Sequence, residues 1–421
     1  MAQADAGRTE LVDAPSPAAN LEVIIDEYPN PFVHRVVLKN YKSIADADIE
    51  LRPLTMLVGA NGSGKSNFVD ALRITTDALN TNLENALRER GGISEVRRRS
   101  RGHPTHFGIR LDLNLGDGWT GSYAYSVSGK ESRPRVSREE CHIERGARRF
   151  SYSVQDGKVE ILPKGGTLPP FTVATNSLAL SVLGTLPPFQ VVRDGLGSMG
   201  FYSLNPQAVR ELQDPDPGSL LRRDGGNLAA VIRTITNEDP SSMGRIIDYL
   251  STVVPGSRDV SVRSLGPKDT IEFRQDVEGD SNPWKFLAAN VSDGTLRALG
   301  VLTAAFQDAG STAGIPLIAI EEPETAIHPG ASTRLMDALL EAATTKQVLL
   351  TTHSPDLLNH QALDVDSLVA VEASGGRTSL GPITQSLRNA VTQQLFTPGE
   401  LLRLEQLEPD HATRDVQAKL F

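Results

Sequence analysis

The feature that most constrains this fold is a glycine-rich turn between a strand-like run, 54–58, and a helix-like run, 67–73. Glycines let the backbone curl so that several N–H groups point at one anion, and the following helix N-terminus adds partial positive charge. A lysine at the end of such a turn neutralises β- and γ-phosphates, and the next hydroxyl binds Mg²⁺. The sequence therefore predicts a nucleoside triphosphate site. Its residues are Asn61, Gly62, Ser63, Gly64, Lys65, Ser66 and Asn67.

Two apolar, strand-like runs in the second half end in polar residues. One leads into Glu321, Glu322 and Glu324, and the next leads into His353. Parallel strands deliver such groups from their carboxyl ends into the crevice where α/β sheets bind ligands. We expect Glu321 to hold Mg²⁺, Glu322 to polarise the attacking water, and His353 to contact the γ-phosphate or that water. The alternatives are an acidic turn capped by Glu324 and a structural histidine.

A third segment, Ser292-Asp293-Gly294, precedes a helix-like run. A hydroxyl and backbone N–H groups at a helix start form an anion site, although the same residues also begin ordinary helices.

Composition limits the class of protein. A chain of 421 residues with 39% hydrophobic and 22% charged residues indicates a globular protein with two lobes or one domain with a large insertion. One cysteine, Cys141, excludes a disulfide framework and favours a reducing cytoplasm. We find no apolar run long enough to cross a membrane and no signal peptide.

The pattern along the chain predicts an α/β fold, a P-loop NTPase with an antiparallel β-lobe and a helical insertion. Residues 1–31 read as a disordered tail with the start of the first strand region, and 32–204 as an N-terminal half with the P-loop and period-two strands from 106 to 162. Residues 205–289 read as a mixed, mainly helical insertion, with helices at 228–235 and 243–253 and strands at 260–262 and 270–273. Residues 290–421, where helices alternate with strands, form the C-terminal half.

In this order, the motifs resemble the ABC-type ATPase heads of the SMC/RecF/OLD group, and more narrowly the stand-alone AAA-family ATPases of bacteria and archaea. The segments 38–44, 225–228 and 327–329 fit the same resemblance, which covers about residues 33 to 370. Two departures exist. Glu321 stands where most such heads carry Asp, and no glutamine between Ser66 and Gln155 marks the usual Q-loop.

The resemblance implies a head-to-head homodimer, or a higher oligomer, that binds ATP and Mg²⁺. Each ATP would lie between one subunit's P-loop and the other's signature of Ser292, Asp293 and Gly294. It also implies that Lys42 lies near the phosphates and that residues 326–329 cross the dimer interface.

The net charge of −10 argues against bulk binding of nucleic acid, yet two arginine-rich clusters interrupt the acidic background. The first comprises Arg97, Arg98, Arg99, Arg101, His103 and His106, and the second comprises Arg133, Arg135, Arg138, Arg145, Arg148 and Arg149. We predict DNA contacts at Arg97, Arg98, Arg99 and Arg101, and an ATPase switch in genome maintenance or anti-phage defence with a separate effector protein. A solvated charged face is the alternative interpretation of the clusters. A regulatory ATP sensor without DNA and an ABC transporter subunit are the alternative functions.

Overall fold

The computed structural model describes residues 30–130, 133–162, 172–308, 314–410 and 419–421. Of the tail predicted at 1–31, residues 1–29 lie outside the described residues. The N-terminal strands and helices are β1 (Val33–Tyr41), β2 (Ile44–Glu50), β3 (Leu54–Val58), α1 (Lys65–Asn80), α2 (Leu83–Arg88), α3 (Ile93–Val96), β4 (His106–Gly116), β5 (Trp119–Lys130), β6 (Arg133–Arg145), β7 (Arg148–Gln155), β8 (Lys158–Leu162), α4 (Leu180–Leu183), α5 (Pro187–Gly197) and β9 (Gly200–Tyr202).

The remaining elements follow in chain order. They are α6 (Pro206–Arg210), α7 (Leu228–Glu238), α8 (Pro240–Val253), β10 (Ser257–Leu265), β11 (Lys268–Gln275), β12 (Trp284–Leu287), α9 (Asp293–Phe306), β13 (Leu317–Glu321), α10 (Pro329–Ala342), β14 (Gln347–Thr352), α11 (Pro355–Leu358), β15 (Leu368–Ser374), β16 (Arg377–Pro382), α12 (Gln385–Thr392) and α13 (Pro398–Arg403).

One sheet of thirteen described strands runs through the protein, in the order β8-β7-β6-β5-β4-β1-β2-β16-β15-β3-β14-β13-β9. Strands β4 to β8 form the predicted antiparallel lobe, and this lobe continues from the nucleotide-binding part because β4 pairs with β1. At the other end, β15, β3, β14, β13 and β9 are parallel neighbours. The predicted α/β class with a β-lobe is confirmed.

The parallel strands are covered on both faces, which explains why they are continuously apolar. Alternate residues of β3 belong to different cores: Leu57 packs in the cluster that contains Phe68 of α1, while Met56 packs in the cluster that contains Leu299 of α9. The sheet is therefore held between α1 on one side and the helices α7 to α10 on the other. This arrangement fixes the P-loop and the acidic strand end on one rigid support.

The helical segment is interrupted by a second sheet of β10, β11 and β12. Helices α7 and α8 confirm the helices predicted at 228–235 and 243–253, and β10 and β11 confirm the strands predicted at 260–262 and 270–273. Strand β9 was missed, because three residues are too few to show a period. The domain boundaries proposed at 204/205 and 289/290 stay predictions. Strands from the N-terminal and C-terminal halves lie in the same large sheet, so the sheet does not mark these boundaries.

Candidate nucleotide-binding site

The glycine-rich turn lies between β3 and α1, as the sequence predicts. Helix α1 begins at Lys65, directly after Gly64, which has a φ of 106°. A side chain at Gly64 would be strained there and would also meet the hydroxyl of Thr378, 2.2 Å from the Cβ position. The N-terminal end of a sixteen-residue helix thus faces the turn, with no acidic residue in its first turn. This is the geometry of an anion site.

The side chains of the turn differ in their exposure to solvent. Asn61 and Ser66 are exposed, whereas Ser63 and Lys65 are buried and Asn67 is half-buried. The hydroxyl of Ser63 is buried and has no hydrogen-bond partner in the described part of the chain. A buried donor without a partner is costly, so a ligand that accepts from it is favoured.

The ammonium group of Lys65 turns back onto its own loop. It donates to the carbonyl oxygens of Gly59 at 2.7 Å and Ala60 at 2.9 Å. Burial lowers the pKa of Lys65, and the nearby carboxylates of Glu322 and Glu324 oppose that effect. A buried cation held by carbonyl oxygens has much to gain from an anionic ligand, because a charged partner compensates its lost hydration better than a neutral one.

Register brings the acidic strand end close to the P-loop. Glu321 on β13 lies opposite Thr351 on β14, which lies opposite Leu57 on β3. With one strand between them, the ends of β13 and β3 are about 10 Å apart. Strand order therefore places Lys65, Glu321, Glu322 and His353 along one edge of the sheet.

Glu322 occupies a left-handed backbone conformation with a φ of 47°, which is unusual for a residue other than glycine. One of its carboxylate oxygens lies 3.4 Å from Nδ1 of His353, and both side chains are partly exposed. A carboxylate and an imidazole that face each other across an open edge are suited to orienting a water molecule.

The neighbouring glutamates have other partners. Glu321 accepts from Nη2 of Arg223 at 2.9 Å, a contact that the sequence pattern did not predict. Glu324 is buried; one oxygen accepts from the hydroxyl of Thr352 at 2.6 Å, and the other has no hydrogen-bond partner among the described residues. Glu324 thus sits inside the site rather than capping a helix.

Lys42 does not point freely toward a phosphate in this structure. Its ammonium group is 2.6 Å from the carboxylate of Asp70, and its backbone has a φ of 45°. Two backbone hydrogen bonds connect the same turn to the end of α3 and the residues after it. The amide of Lys42 donates to the carbonyl oxygen of Val96 at 2.7 Å, and the amide of Arg98 donates to the carbonyl oxygen of Asn40 at 2.8 Å. The turn therefore joins the P-loop helix to the first arginine cluster.

A hydroxyl chain supports the P-loop from β16. Thr378 donates to the carbonyl of Ser63 at 2.8 Å, its hydroxyl lies 2.6 Å from that of Ser43, and Asn67 donates to Ser43 at 2.7 Å. No motif signals this role for Thr378, because it lies more than 300 residues from the loop that it holds.

The predicted signature begins α9. Ser292 is the N-cap and accepts from the amide of Thr295 at 3.2 Å. Asp293 pairs with Arg210, a partner without a sequence signal. A Cβ at Gly294 would lie 2.3 Å from the carbonyl oxygen of Ala326, so only glycine permits this helix start to pack on the loop after the acidic strand.

The four arginines predicted to bind DNA lie in and beside the loop after α3. Arg97 is half-buried and donates to the carbonyl oxygens of Thr105 at 3.1 Å and Gly129 at 3.0 Å. Arg99 pairs with Glu95, while Arg101 is exposed. The cluster therefore divides into a structural member, Arg97, and members whose charge is available to a ligand.

Two family models match separate parts of the chain. The profile of a family described as "AAA domain, putative AbiEii toxin, Type IV TA system" matches residues 189–359, and that of an "AAA ATPase domain" matches residues 32–98. No curated protein matches the chain.

Two solved structures of SMC heads share this fold. A crystal structure of the SmcHead bound to the C-winged helix domain of ScpA has a TM-score of 0.54 and 15% identity, covering 85% of this chain and 99% of that one. A second, an Smc head with an extended coiled coil bound to the C-terminal domain of ScpA derived from Pyrococcus furiosus, has a TM-score of 0.50 and 14% identity, covering 87% and 99%. The chain therefore shares the fold of an SMC head, and two separate segments of it match AAA family models.

Proposed function

We propose that this protein binds ATP with Mg²⁺, hydrolyses it, and uses the cycle to close and open a head-to-head homodimer that acts on DNA. The observation that carries the proposal is the shared sheet edge, where Lys65, Glu322 and His353 follow neighbouring strands β3, β13 and β14. Such convergence of a phosphate cradle, a carboxylate and an imidazole is what phosphoryl transfer to water requires.

The residues fit a triphosphate and a divalent ion. The helix start at Lys65 and the unpartnered hydroxyl of Ser63 supply donors for phosphate oxygens, and the exposed hydroxyl of Ser66 and the carboxylate of Glu321 supply oxygen ligands for Mg²⁺. When bound, Mg²⁺ neutralises charge on the β- and γ-phosphates. Among the described residues no group of three or more His, Cys, Asp or Glu forms a metal cluster.

Each side chain has a separate task in this account. Lys65 leaves the carbonyl oxygens of its loop and moves to the phosphates, because an anion offers it a stronger partner. Glu322 accepts a hydrogen bond from the attacking water, and His353 steadies that carboxylate or the γ-phosphate. Glu321 would have to exchange Arg223 for the ion.

In this account the signature serves the ATP bound at the P-loop of a second subunit, and this arrangement requires a dimer. Ser292 and the backbone at Gly294 begin a helix that can offer N–H groups to the phosphates of a second subunit. No helix in the described part of the chain has the length and apolar character of a membrane span.

We favour a DNA-directed switch over a transporter subunit because a β-lobe and a helical insertion separate the P-loop from the signature.

The biological setting we propose is genome maintenance or anti-phage defence, with a separate protein as effector. The description of the first family names a toxin of a toxin–antitoxin system, and both similar SMC heads are bound to a partner domain. The available arginines beside α3 support contact with DNA phosphates.

A direct experiment is steady-state ATP hydrolysis by the wild type and Lys65→Ala. We expect the wild type to release phosphate in a Mg²⁺-dependent manner and Lys65→Ala to lose at least about a hundredfold in rate, because the triphosphate loses its main cation. Arg73→Gln, which alters a neighbouring cation of the same helix, is the matched control. Full activity of Lys65→Ala would remove the assignment of the P-loop.

A further inference from the structure

A concave basic pocket lies on the side of the β-lobe next to α3. Its volume is ≈ 800 Å³, and it is formed by the loop after α3, the segment 103–105, the last residues of β5 and Arg135 of β6. Six basic side chains line it: Arg97, Arg98, Arg99, His103, Lys130 and Arg135. The fold therefore joins members of two arginine clusters that are separate in the sequence.

The described residues that line this pocket include no carboxylate to balance its positive charge. Arg99 pairs with Glu95, and Arg135 lies 3.8 Å from Asp156, but both pairs are largely exposed. Exposed ion pairs contribute little and exchange readily, so these guanidinium groups remain free to bind another anion. Like charges converging on one concavity favour an anionic ligand.

Two buried donors in the wall have no partner. Both Nε of Arg98 and the hydroxyl of Ser128 are buried, and neither makes a hydrogen bond in the described structure. Both residues line the pocket. Buried polar atoms are nearly always satisfied, so these two donors require acceptors from outside the described residues. These atoms come from separate segments, the loop after α3 and strand β5, which meet only in the folded protein.

We propose that this pocket binds the terminal phosphate of a nucleic acid strand, and the proposal rests on the DNA-directed function proposed above. A terminal phosphate monoester carries a charge between about −1.5 and −2 and three free acceptor oxygens. A phosphodiester inside a strand has one charge and two such oxygens. Several guanidinium groups and two orphan donors in a concavity can therefore satisfy a monoester more fully.

Shape supports the same choice. The phosphates of a duplex lie on the outside of a convex rod. They can therefore contact charged groups on an open surface, but they do not easily reach donors inside a pocket. A strand end can enter the pocket, because nothing continues beyond its phosphate. The exposed Arg101 does not line the pocket, so it is available to contact the next phosphates of the nucleic acid strand.

The test compares oligonucleotides that differ only at their ends. Fluorescence anisotropy with an internally labelled DNA is measured for strands with a 5′-phosphate, a 3′-phosphate or hydroxyl ends, each single-stranded and in duplex. We expect one phosphorylated end to bind about tenfold more tightly than the hydroxyl end, the difference that one hydrogen bond to a charged group makes. The preferred end identifies the polarity of the strand in the pocket.

Variants connect this preference to the pocket. Ser128→Ala and Arg98→Gln should reduce the preference to about twofold or less, since each removes an orphan donor. Arg148→Gln, an exposed arginine of β7 outside the pocket, is the control and should retain the full preference. Thermal unfolding of each variant shows whether it is folded, and Ser128→Ala is small enough to keep the test decisive if Arg98→Gln is unstable.

Each outcome has a separate meaning. Equal binding of phosphorylated and hydroxyl ends overturns the terminal-phosphate proposal while DNA binding itself stands. Absence of binding to every DNA contradicts the DNA-directed function and this proposal together. A further control measures the binding of a nucleoside monophosphate to Lys65→Ala, in which the ATP site is impaired. If Ser128→Ala abolishes this binding and the protein shows no preference among DNA ends, the pocket binds free nucleotides and the proposal for strand ends is overturned.

Discussion

Arg297 donates from Nη2 to the backbone carbonyl of Glu322 at 2.9 Å and to that of Glu321 at 3.2 Å. Its other terminal nitrogen donates to the carbonyl of Leu204 at 2.9 Å. Burial lowers the pKa of Arg297, and Glu322, Glu324 and Glu321 oppose that effect. Because Arg297 lies one turn into α9, it ties the helix of the signature to the left-handed turn that aims Glu322.

Arg297→Lys should lower the rate of ATP hydrolysis about tenfold or more while leaving ATP affinity nearly unchanged, because a lysine cannot reach three carbonyl oxygens at once. Single-turnover hydrolysis and equilibrium nucleotide binding separate the two effects. Arg334→Lys, an exposed arginine of α10, serves as the control. An unchanged turnover rate would show that the turn at Glu322 holds its shape without Arg297.

The signature should act across the dimer. Ser292→Arg places a large cation at the start of α9, where a phosphate of the other subunit is expected, and should abolish hydrolysis by the homodimer. Mixing Ser292→Arg with Lys65→Ala should restore at most one working site per dimer, which is measured as partial recovery of ATPase activity. If Ser292→Arg alone hydrolyses ATP like the wild type, the sandwich dimer is wrong.

Asp70 should contribute to stability in a defined pH range. Burial alone would raise the pKa of Asp70, but Arg90, Lys42 and Arg73 outweigh it and hold the value at about 2, below the ordinary 3.8. A carboxylate with a lowered pKa stabilises the fold above its unfolded pKa, and this contribution is lost as the pH falls toward about 2.

The measurement is urea unfolding of the wild type and Asp70→Asn between pH 7 and pH 2. The wild type should lose about 2 kcal/mol more unfolding free energy than Asp70→Asn across the interval from about pH 4 to 2. Asp46→Asn, which removes an exposed carboxylate paired with Arg377, should keep the pH dependence of the wild type. Equal slopes for wild type and Asp70→Asn would contradict the role given to this cluster.

DNA affinity should depend on salt through the exposed arginines. Replacing Arg99 and Arg101 with glutamine should weaken duplex binding and reduce the slope of log affinity against log salt by about one for each phosphate that the variant no longer binds. Arg258 and Arg274, exposed on the second sheet, give a control pair with the same change in charge. An unchanged slope would assign the cluster to a protein partner or to a solvated surface.

The sequence predicted the P-loop, the acidic strand and the signature helix because each is a local pattern that needs only a few adjacent residues. Partners such as Arg223 and Thr378 were not predictable, because they reach the site only in the folded protein, Arg223 from the segment between α6 and α7 and Thr378 from β16. Arg297 carried a signal, since it follows the signature by one turn. Lys42 was expected near phosphates, and the structure pairs it with Asp70 because α1 brings that carboxylate beneath the turn.

The most direct test of the central claim is the molar mass of Glu322→Gln with and without ATP and Mg²⁺, measured by size-exclusion chromatography with light scattering. Glu322→Gln should bind ATP, hydrolyse it slowly and accumulate as a dimer or larger assembly, because the amide cannot polarise the water. Lys65→Ala should stay at the nucleotide-free mass. If Glu322→Gln turns over normally while Glu321→Gln does not, the roles of the two glutamates are exchanged. A Glu322→Gln protein that binds ATP without any increase in mass would contradict the dimerising switch.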